Sequence, residues 1–325
     1  MGTALRRPGV FLLICFLAGC AGSGRDRFAR LPDGRHLHLV CEGSGAPVVL
    51  LESGFGATAG AWAKVQPELA KSVRVCAYDR AGYGQSDPGP EPRDGAAIAA
   101  DLDHALKAEH IAGPFVVVGH SAGGLYARLF ADRRKAQVVG MVLVDPTVEH
   151  QDRAFAVFGP GAGSLLPIRL ATERCLALSR GWGGATTAAE EQRCFDEHGK
   201  VLPTSLFLTE MSELDTLWTP TSDEVARDDA SYGDMPIVVL TAGDTYKGAP
   251  AALRARVDEL WRYLHRTVAC RSTRGEERLV PGSGHLIMVD RPDAVIQAID
   301  DVIALGKKKP SPSSPPRPSC RGSSR

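Results

Sequence analysis

The chain contains 325 residues, 44% of them hydrophobic, and its 38 basic and 38 acidic side chains give a formal net charge of zero. This length and apolar content suffice for one large α/β domain with an insert, or for two small domains. The balanced charge excludes the strongly basic composition that is typical of nucleic-acid-binding domains, and we expect no nucleic-acid partner.

The first 19 residues have the pattern of a signal peptide. Arg6 and Arg7 precede an apolar run over residues 10–18. That run is shorter than the roughly 20 residues needed to span a bilayer. We therefore predict an export signal over residues 1–19 and a small polar linker over residues 20–27.

The end of this segment carries a second signal. Residues 17–20, LAGC, resemble a bacterial lipobox, which implies cleavage before Cys20 and acylation of its sulfur. An ordinary signal peptide cut near Ala18 or Ala21 is the alternative. We expect an exported protein held beside a membrane through lipid at Cys20, with a secreted or periplasmic protein as the alternative.

Predicted strands and helices alternate from residue 28 to residue 147. Residues 48–52 form an apolar strand, and Trp62, Val65 and Leu69 follow it at helical spacing. Strands that alternate with helices predict a mostly parallel sheet with helices on both faces, a doubly wound α/β fold.

The most informative motif is the G-x-S-x-G pentapeptide at residues 119–123. It follows an apolar run at residues 115–118, which predicts a buried strand, and it precedes a helical pattern at residues 124–130. The turn between strand and helix leaves no room for a Cβ at the glycine positions, so it holds Ser121 in a strained backbone with its Oγ projecting. We predict that Ser121 is a catalytic nucleophile.

A serine nucleophile needs a base and a third group that orients the base, in the chain order Ser, Asp or Glu, His on this kind of sheet. His285 is the candidate base, because it ends a glycine-rich loop after a short strand near the C-terminus. Asp145 and Asp244 each end a predicted strand and are the candidate acids. We favour Asp244, which lies in the expected order between Ser121 and His285, and keep Asp145 open.

A glycine-containing loop follows the strand at residues 48–52. Its sequence at residues 53–56 is SGFG. Acyl transfer needs backbone N–H groups aimed at the developing oxyanion. We predict that the N–H groups of Phe55, in this loop, and of Ala122, after the nucleophile, form the oxyanion hole.

Four landmarks in this order resemble the α/β-hydrolase family over residues 28–305. They are residues 53–56, residues 78–86 (YDRAGYGQS), the turn around Ser121, and Gly284-His285. The second resembles the D-x-R-G-x-G-x-S loop of the family, with Ala81 in place of the usual glycine. The resemblance implies the α/β-hydrolase fold with an inserted cap.

Two features depart from the family pattern. The oxyanion loop begins with Ser53, where many members have histidine. Asp244 directly follows its glycine, where the family more often leaves two residues between. The second departure bears on the choice of the acid and not on the fold.

Residues 148–232 interrupt the strand and helix alternation. They contain 14 acidic and 7 basic side chains and no clear strand. The resemblance implies that this insert is a cap over the active site, with an acidic solvated surface insert as the alternative. An acidic cap disfavours anionic substrates. The core resumes at residues 233–305, and the basic, Pro/Ser-rich residues 306–325 predict a disordered tail.

The cysteines indicate an oxidising compartment. Of eight cysteines, six remain once Cys15 is lost with the signal and Cys20 is lipidated. Six cysteines allow 15 pairings, with buried reduced thiols as the alternative. We predict Cys175–Cys194, because both lie in the insert around a glycine-rich bend. The resemblance makes the strands of Cys41 and Cys76 neighbours, which allows that pair as well.

These observations predict an exported serine hydrolase that cleaves a small-molecule carboxylic ester or related acyl compound without cofactor or metal. Epoxide hydrolases and haloalkane dehalogenases of this fold use a carboxylate nucleophile, so Ser121 argues against both. The alternatives are an amidase or aminopeptidase, a cofactor-free perhydrolase, and a non-catalytic binding protein on the same fold.

Overall fold

Eight strands form one sheet in this protein. The computed structural model describes residues 26–184, 187–227, 231–248 and 250–307. The strands are β1 (Asp26–Arg30), β2 (His36–Glu42), β3 (Val48–Glu52), β4 (Arg74–Tyr78), β5 (Phe115–His120), β6 (Val138–Val144), β7 (Ile237–Ala242) and β8 (Gly275–Val280). Their order across the sheet is β1-β2-β4-β3-β5-β6-β7-β8. β1 pairs antiparallel with β2 and β2 with β4, while all other pairs are parallel.

Helices cover both faces of the sheet. They are α1 (Gln66–Leu69), α2 (Gly95–Ala108), α3 (Gly123–Arg133), α4 (Gln151–Phe155), α5 (Leu166–Ser179), α6 (Ala188–Cys194), α7 (Thr204–Thr216), α8 (Ser222–Arg227), α9 (Ala251–Ala269), α10 (Ile287–Asp290) and α11 (Pro292–Gly306). In the described part of the chain, no helix combines the length and the apolar content that crossing a bilayer requires.

The central strands have their valine- and leucine-rich sequences because both of their faces are buried. Successive residues of β3 and β5 belong alternately to two apolar clusters. Helices α2, α3 and α9 contribute to one cluster, and α1, α10 and α11 to the other. This arrangement confirms the predicted doubly wound, mostly parallel α/β fold.

The segment between β6 and β7 contains the region that we interpret as a cap, residues 148–232. In its described residues it consists of helices α4 to α8, short helical turns and loops, with one isolated bridge between Phe195 and Val201. The cap therefore enters the chain after β6, at the edge of the sheet where the parallel strands end.

Two cysteine pairs lie at bonding distance. The predicted pair Cys175–Cys194 is confirmed, and the pair Cys41–Cys76, which the resemblance allows, is bonded as well. Cys41 and Cys76 stand directly opposite each other on β2 and β4. Cys175 and Cys194 join α5 to α6 within the cap. Cys270 is disulfide-bonded as well.

Several predictions concern residues outside the described part of the chain. These are the signal peptide at residues 1–19, the lipidation of Cys20, most of the linker at residues 20–27, and residues 308–325 of the tail. Strand β1 begins at Asp26, two residues before the predicted start of the core.

Candidate active site

Ser121 occupies a sharp turn between β5 and α3. Its φ of 52° lies in the left-handed region, which strains a residue other than glycine. The Ser121 N–H donates to Val144 O, and Ser121 O accepts hydrogen bonds from the N–H groups of Gly124 and Thr147. These backbone bonds hold the strained turn in place. They also attach it to the adjacent strand β6 and to the loop that follows β6.

The structure brings Asp145, and not Asp244, to His285. Asp145 follows β6, is fully buried, and has its Oδ2 2.7 Å from His285 Nδ1. The preference for Asp244 is wrong for a local reason. Strand β7 ends at Ala242, and the chain then turns so that Asp244 is exposed. Its N–H donates to Ser283 O, while the hydroxyl of Thr245 turns inward to Asp145 Oδ2 at 2.8 Å.

Four hydrogen-bond donors surround the Asp145 carboxylate. Oδ1 accepts from Ala242 N–H at 3.0 Å and from the indole N–H of Trp261 at 2.8 Å. Oδ2 accepts from Thr245 and His285. Burial alone would raise the pKa of Asp145, but the hydrogen bond from His285 and the nearby imidazoles outweigh burial and hold the pKa below its ordinary value of 3.8.

The charge of Asp145 sets the tautomer of His285. An ionised carboxylate only accepts hydrogen bonds, so Nδ1 of His285 must carry the proton. Nε2 is then left as the basic atom of the ring. The side chain of His285 is 41% exposed, so this atom is accessible to a reacting group.

His120, the residue before Ser121, supports the loop of His285. The two imidazole rings lie 4.7 Å apart between centroids, and His120 Nε2 donates to His285 O at 3.0 Å. Burial, together with the neighbouring His285, lowers the pKa of His120 to about 3, so His120 is neutral near pH 7. It acts as a hydrogen-bond donor to the loop and not as a second base.

Arg80 binds the predicted oxyanion loop through the backbone carbonyl groups of the loop. Its guanidinium donates to Ser53 O at 2.6 Å and to Gly54 O at 2.9 Å. Because the C=O and N–H of a trans peptide point in opposite directions, the Phe55 N–H points away from Arg80. The Phe55 side chain packs against the apolar cluster to which Ala122, the other predicted donor residue, belongs.

The same cluster forms an apolar wall at the start of α3. The cap contributes Leu165, Leu217 and Trp218 to it, and Tyr126 of α3 completes it.

Sequence reasoning missed Trp261, Thr245, His120 and Arg80. The pattern around Trp261 indicates only a core helix. Arg80 lies in the landmark at residues 78–86, which identified the fold but carried no role for this side chain.

Residues 48–298 match the Alpha/beta hydrolase family, and the chain belongs to this family. The fold is that of solved family members. The epoxide hydrolase CorEH superposes with a TM-score of 0.59 at 21% identity, over 86% of this chain and 98% of that one. A thermophilic esterase from Thermogutta terrifontis superposes with a TM-score of 0.57 at 20% identity, over 88% of this chain and 100% of that one. Such identities establish the fold alone.

Two proteins with similar sequences match this chain over stretches of different length. The uncharacterized protein YqjL of Bacillus subtilis (strain 168) is 23% identical over 271 residues, which are 83% of this chain and 89% of YqjL. The putative carbamate hydrolase RutD of Klebsiella pneumoniae subsp. pneumoniae is 34% identical over 117 residues, which are 35% of this chain and 44% of RutD.

Proposed function

We propose that this protein is a serine hydrolase that cleaves a carboxylic ester through an acyl-enzyme intermediate. The observation that carries the proposal is the contact of His285 Nδ1 with the buried, four-fold hydrogen-bonded carboxylate of Asp145. Ser121 directly follows β5, and Asp145 directly follows the neighbouring strand β6. Ser121 lies in the strained turn that a nucleophile requires. The three residues fit the roles of nucleophile, base and orienting acid.

In the first half of the reaction, Ser121 Oγ attacks the acyl carbon and its proton passes to His285 Nε2. Asp145 stabilises the imidazolium that forms. The carbonyl oxygen becomes an oxyanion that accepts hydrogen bonds from the Phe55 and Ala122 N–H groups, each worth about 3 kcal/mol in comparable sites. The tetrahedral intermediate collapses, the C–O bond to the alcohol breaks, and His285 returns its proton to the leaving oxygen.

In the second half, water takes the place of the alcohol. His285 Nε2 accepts a proton from the water, whose oxygen attacks the acyl carbon of the ester to Ser121. The same N–H groups hold the second oxyanion. Its collapse releases the carboxylic acid and returns the proton to Ser121 Oγ.

The nucleophile favours acyl transfer over the opening of epoxides. Structural neighbours include an epoxide hydrolase, but the position at the turn is Ser121 and not a carboxylate. The apolar wall of Phe55, Leu165 and Trp218 beside Ala122 supports an ester with an apolar acyl or alcohol group.

The test is labelling of the protein with a fluorophosphonate probe, followed by assays with p-nitrophenyl acetate and butyrate. We expect labelling of wild type, none of Ser121→Ala, and wild-type labelling of Ser164→Ala, which changes an exposed cap serine. Matched anilide and carbamate substrates measure the preference for esters. A folded wild-type protein that neither labels nor hydrolyses the esters would reject the proposal and favour a binding protein.

We also propose that the protein is exported and anchored through lipid at Cys20. The lipobox-like residues 17–20 support this proposal, as do the disulfide pairs Cys41–Cys76 and Cys175–Cys194, since such bonds persist in oxidising compartments. When the full chain is expressed in a bacterial host that is fed labelled palmitate, the protein should carry the label. It should also partition into the detergent phase in a detergent extraction. Cys20→Ala should abolish the label and release the protein, and an unlabelled wild type would contradict lipidation.

A further inference from the structure

A buried arginine joins the oxyanion loop to the cap. Arg80 is 1% exposed and donates to four groups. One terminal nitrogen donates to Ser53 O and to Glu52 Oε1, and the other donates to Gly54 O. The remaining edge of the guanidinium forms a two-pronged pair with Glu213 of α7, with Nε at 2.9 Å and the second terminal nitrogen at 3.1 Å from the carboxylate oxygens.

These hydrogen bonds together fix the orientation of the Arg80 guanidinium. Its donors are directed in the plane of a rigid fork, and the two-pronged carboxylate pair fixes that plane. The rings of Tyr83 and Tyr126 lie 4.8 Å and 5.3 Å from the guanidinium carbon. The carbonyls of Ser53 and Gly54 must therefore face Arg80 as long as the pair with Glu213 is intact.

Glu213 accepts two hydrogen bonds from Arg80, while Glu52, the second acid in the cluster, accepts one. Burial raises the pKa of Glu52 to about 7, against the opposing charge of Arg80. Burial thus disfavours the charged form of Glu52. Arg80 then depends on the carboxylate that the cap supplies.

Helix α7 docks on the core through a polar face. Thr209, Ser212, Glu213 and Thr216 are all buried and recur at the spacing of one helix face. Ser212 Oγ accepts from the Arg93 N–H, and Thr216 Oγ1 donates to Arg93 O. Directed hydrogen bonds, unlike apolar contacts, fix the position of the helix along the core, so Glu213 meets Arg80 only when α7 is seated.

We propose that Glu213 is a positioning residue for the reaction: by fixing Arg80, it fixes the Gly54–Phe55 peptide, so the oxyanion hole is complete only when α7 is docked. Without the Glu213 carboxylate, Arg80 can rotate and release Gly54 O. The peptide is then free to turn, and the Phe55 N–H loses its aim at the oxyanion. The cap thus acts on the chemical step as well as on access to the site.

This inference rests on the proposed function, and its test compares two acids of one helix. Glu213→Gln keeps the shape of the side chain but removes its charge. Glu210→Gln is the matched control, because Glu210 is equally a buried acid of α7 but binds Arg193 and Thr172 and not Arg80. Thermal unfolding checks that both variants are folded.

We expect Glu213→Gln to lower kcat for p-nitrophenyl butyrate by about 10- to 100-fold with KM within twofold, because an oxyanion contact operates in the transition state. Affinity for a trifluoromethyl ketone, which forms an oxyanion on Ser121, should fall by a similar factor. Arg80→Lys should reproduce this pattern, since a lysine lacks the fork. Glu210→Gln should stay within threefold of wild type in kcat.

Equal kcat for the two glutamine variants, or a loss confined to KM, would overturn the inference. If Glu213→Gln does not fold, Glu213→Asp tests the same point, because its shorter carboxylate keeps the charge but cannot span both guanidinium nitrogens; an unchanged kcat would then reject the inference. An inactive wild type would instead reject the proposed function, and this inference with it.

Discussion

Trp261 donates its indole N–H to Oδ1 of Asp145 at 2.8 Å, while His285 occupies Oδ2 of the same carboxylate. The indole is held in turn by ring contacts with Phe155, Tyr246 and His265. One aromatic side chain of α9 therefore helps to fix the plane of the carboxylate that binds His285.

Replacing Trp261 by phenylalanine should lower kcat/KM. The ring contacts are largely kept, but the carboxylate loses a donor, and a hydrogen bond to a charged group is worth about 1.5–3 kcal/mol. We expect a decrease of about 10-fold or more in ester hydrolysis, with the fold retained by circular dichroism. Trp182→Phe makes the same change at an exposed cap position and should have wild-type activity. Equal activity of the two variants would show that the indole bond is not needed.

A pair of asparagine variants can show which of the two candidate acids, Asp145 or Asp244, supports the reaction. Asp145→Asn removes the charge that sets the His285 tautomer, and we expect kcat to fall by roughly 10³- to 10⁴-fold. Asp244→Asn changes an exposed side chain and should leave kcat within twofold. Both are measured with the same ester at one pH. A larger loss in Asp244→Asn would mean that the geometry described here is not the reactive one.

Gly54 has no room for a side chain. An added Cβ would lie 2.7 Å from His120 Nδ1 and 3.1 Å from Ser121 Cβ, so the oxyanion loop would have to move. We expect Gly54→Ala to lower kcat by about 100-fold, the effect of losing one oxyanion donor, with little change in KM. Gly60→Ala is the control, since its Cβ would approach Thr58 Oγ1 no closer than 3.4 Å. Wild-type kcat in Gly54→Ala would argue against this loop as part of the hole.

Glu149 should contribute to the way in which the free energy of unfolding decreases at acidic pH. Burial raises its pKa, but the charges of Arg128 and Arg271 outweigh burial and lower the pKa to about 2. Because the folded pKa lies below the ordinary value of 4.5, this carboxyl stabilises the fold above about pH 4.5, and the contribution is lost as the pH falls toward 2. Glu149→Gln should cost about 3 kcal/mol near neutral pH, because buried Arg128 loses its carboxylate partner.

The measurement for Glu149 is urea unfolding between pH 7 and pH 3. The difference in free energy of unfolding between wild type and Glu149→Gln should shrink as the pH falls. The exposed Glu259→Gln should match wild type at pH 7. A difference that is constant across this range would contradict the assignment.

The sequence predicted the parts of the site that are encoded locally. Ser121 could be proposed as the nucleophile because a strand, two glycines and a helix surround it in one short stretch. The order of the landmarks then led to His285. The order of strands in the family allowed the disulfide Cys41–Cys76 but could not select it among the possible pairings.

The acid could not be predicted, because the choice depends on where β7 ends. Asp145 and Asp244 both follow strands that reach the same edge of the sheet, and only the turn after Ala242 decides which carboxylate faces His285. The pair of Arg80 with Glu213 spans 133 positions of the chain and leaves no local pattern. The hydrogen bond of Trp261 to Asp145 also joins distant parts of the chain, across 116 positions, and leaves no local pattern either.

Ser121, Asp145 and Phe55 all precede the cap in the chain, and His285 alone among the proposed reacting groups follows it. The proposed nucleophile, its acid and the predicted oxyanion loop thus lie within residues 26–145, a stretch of chain that an exchange of the cap would not interrupt. Grafting of caps from related enzymes is therefore a direct route to new substrate ranges in this scaffold. By the inference above, a graft succeeds only if it brings a carboxylate to the place of Glu213.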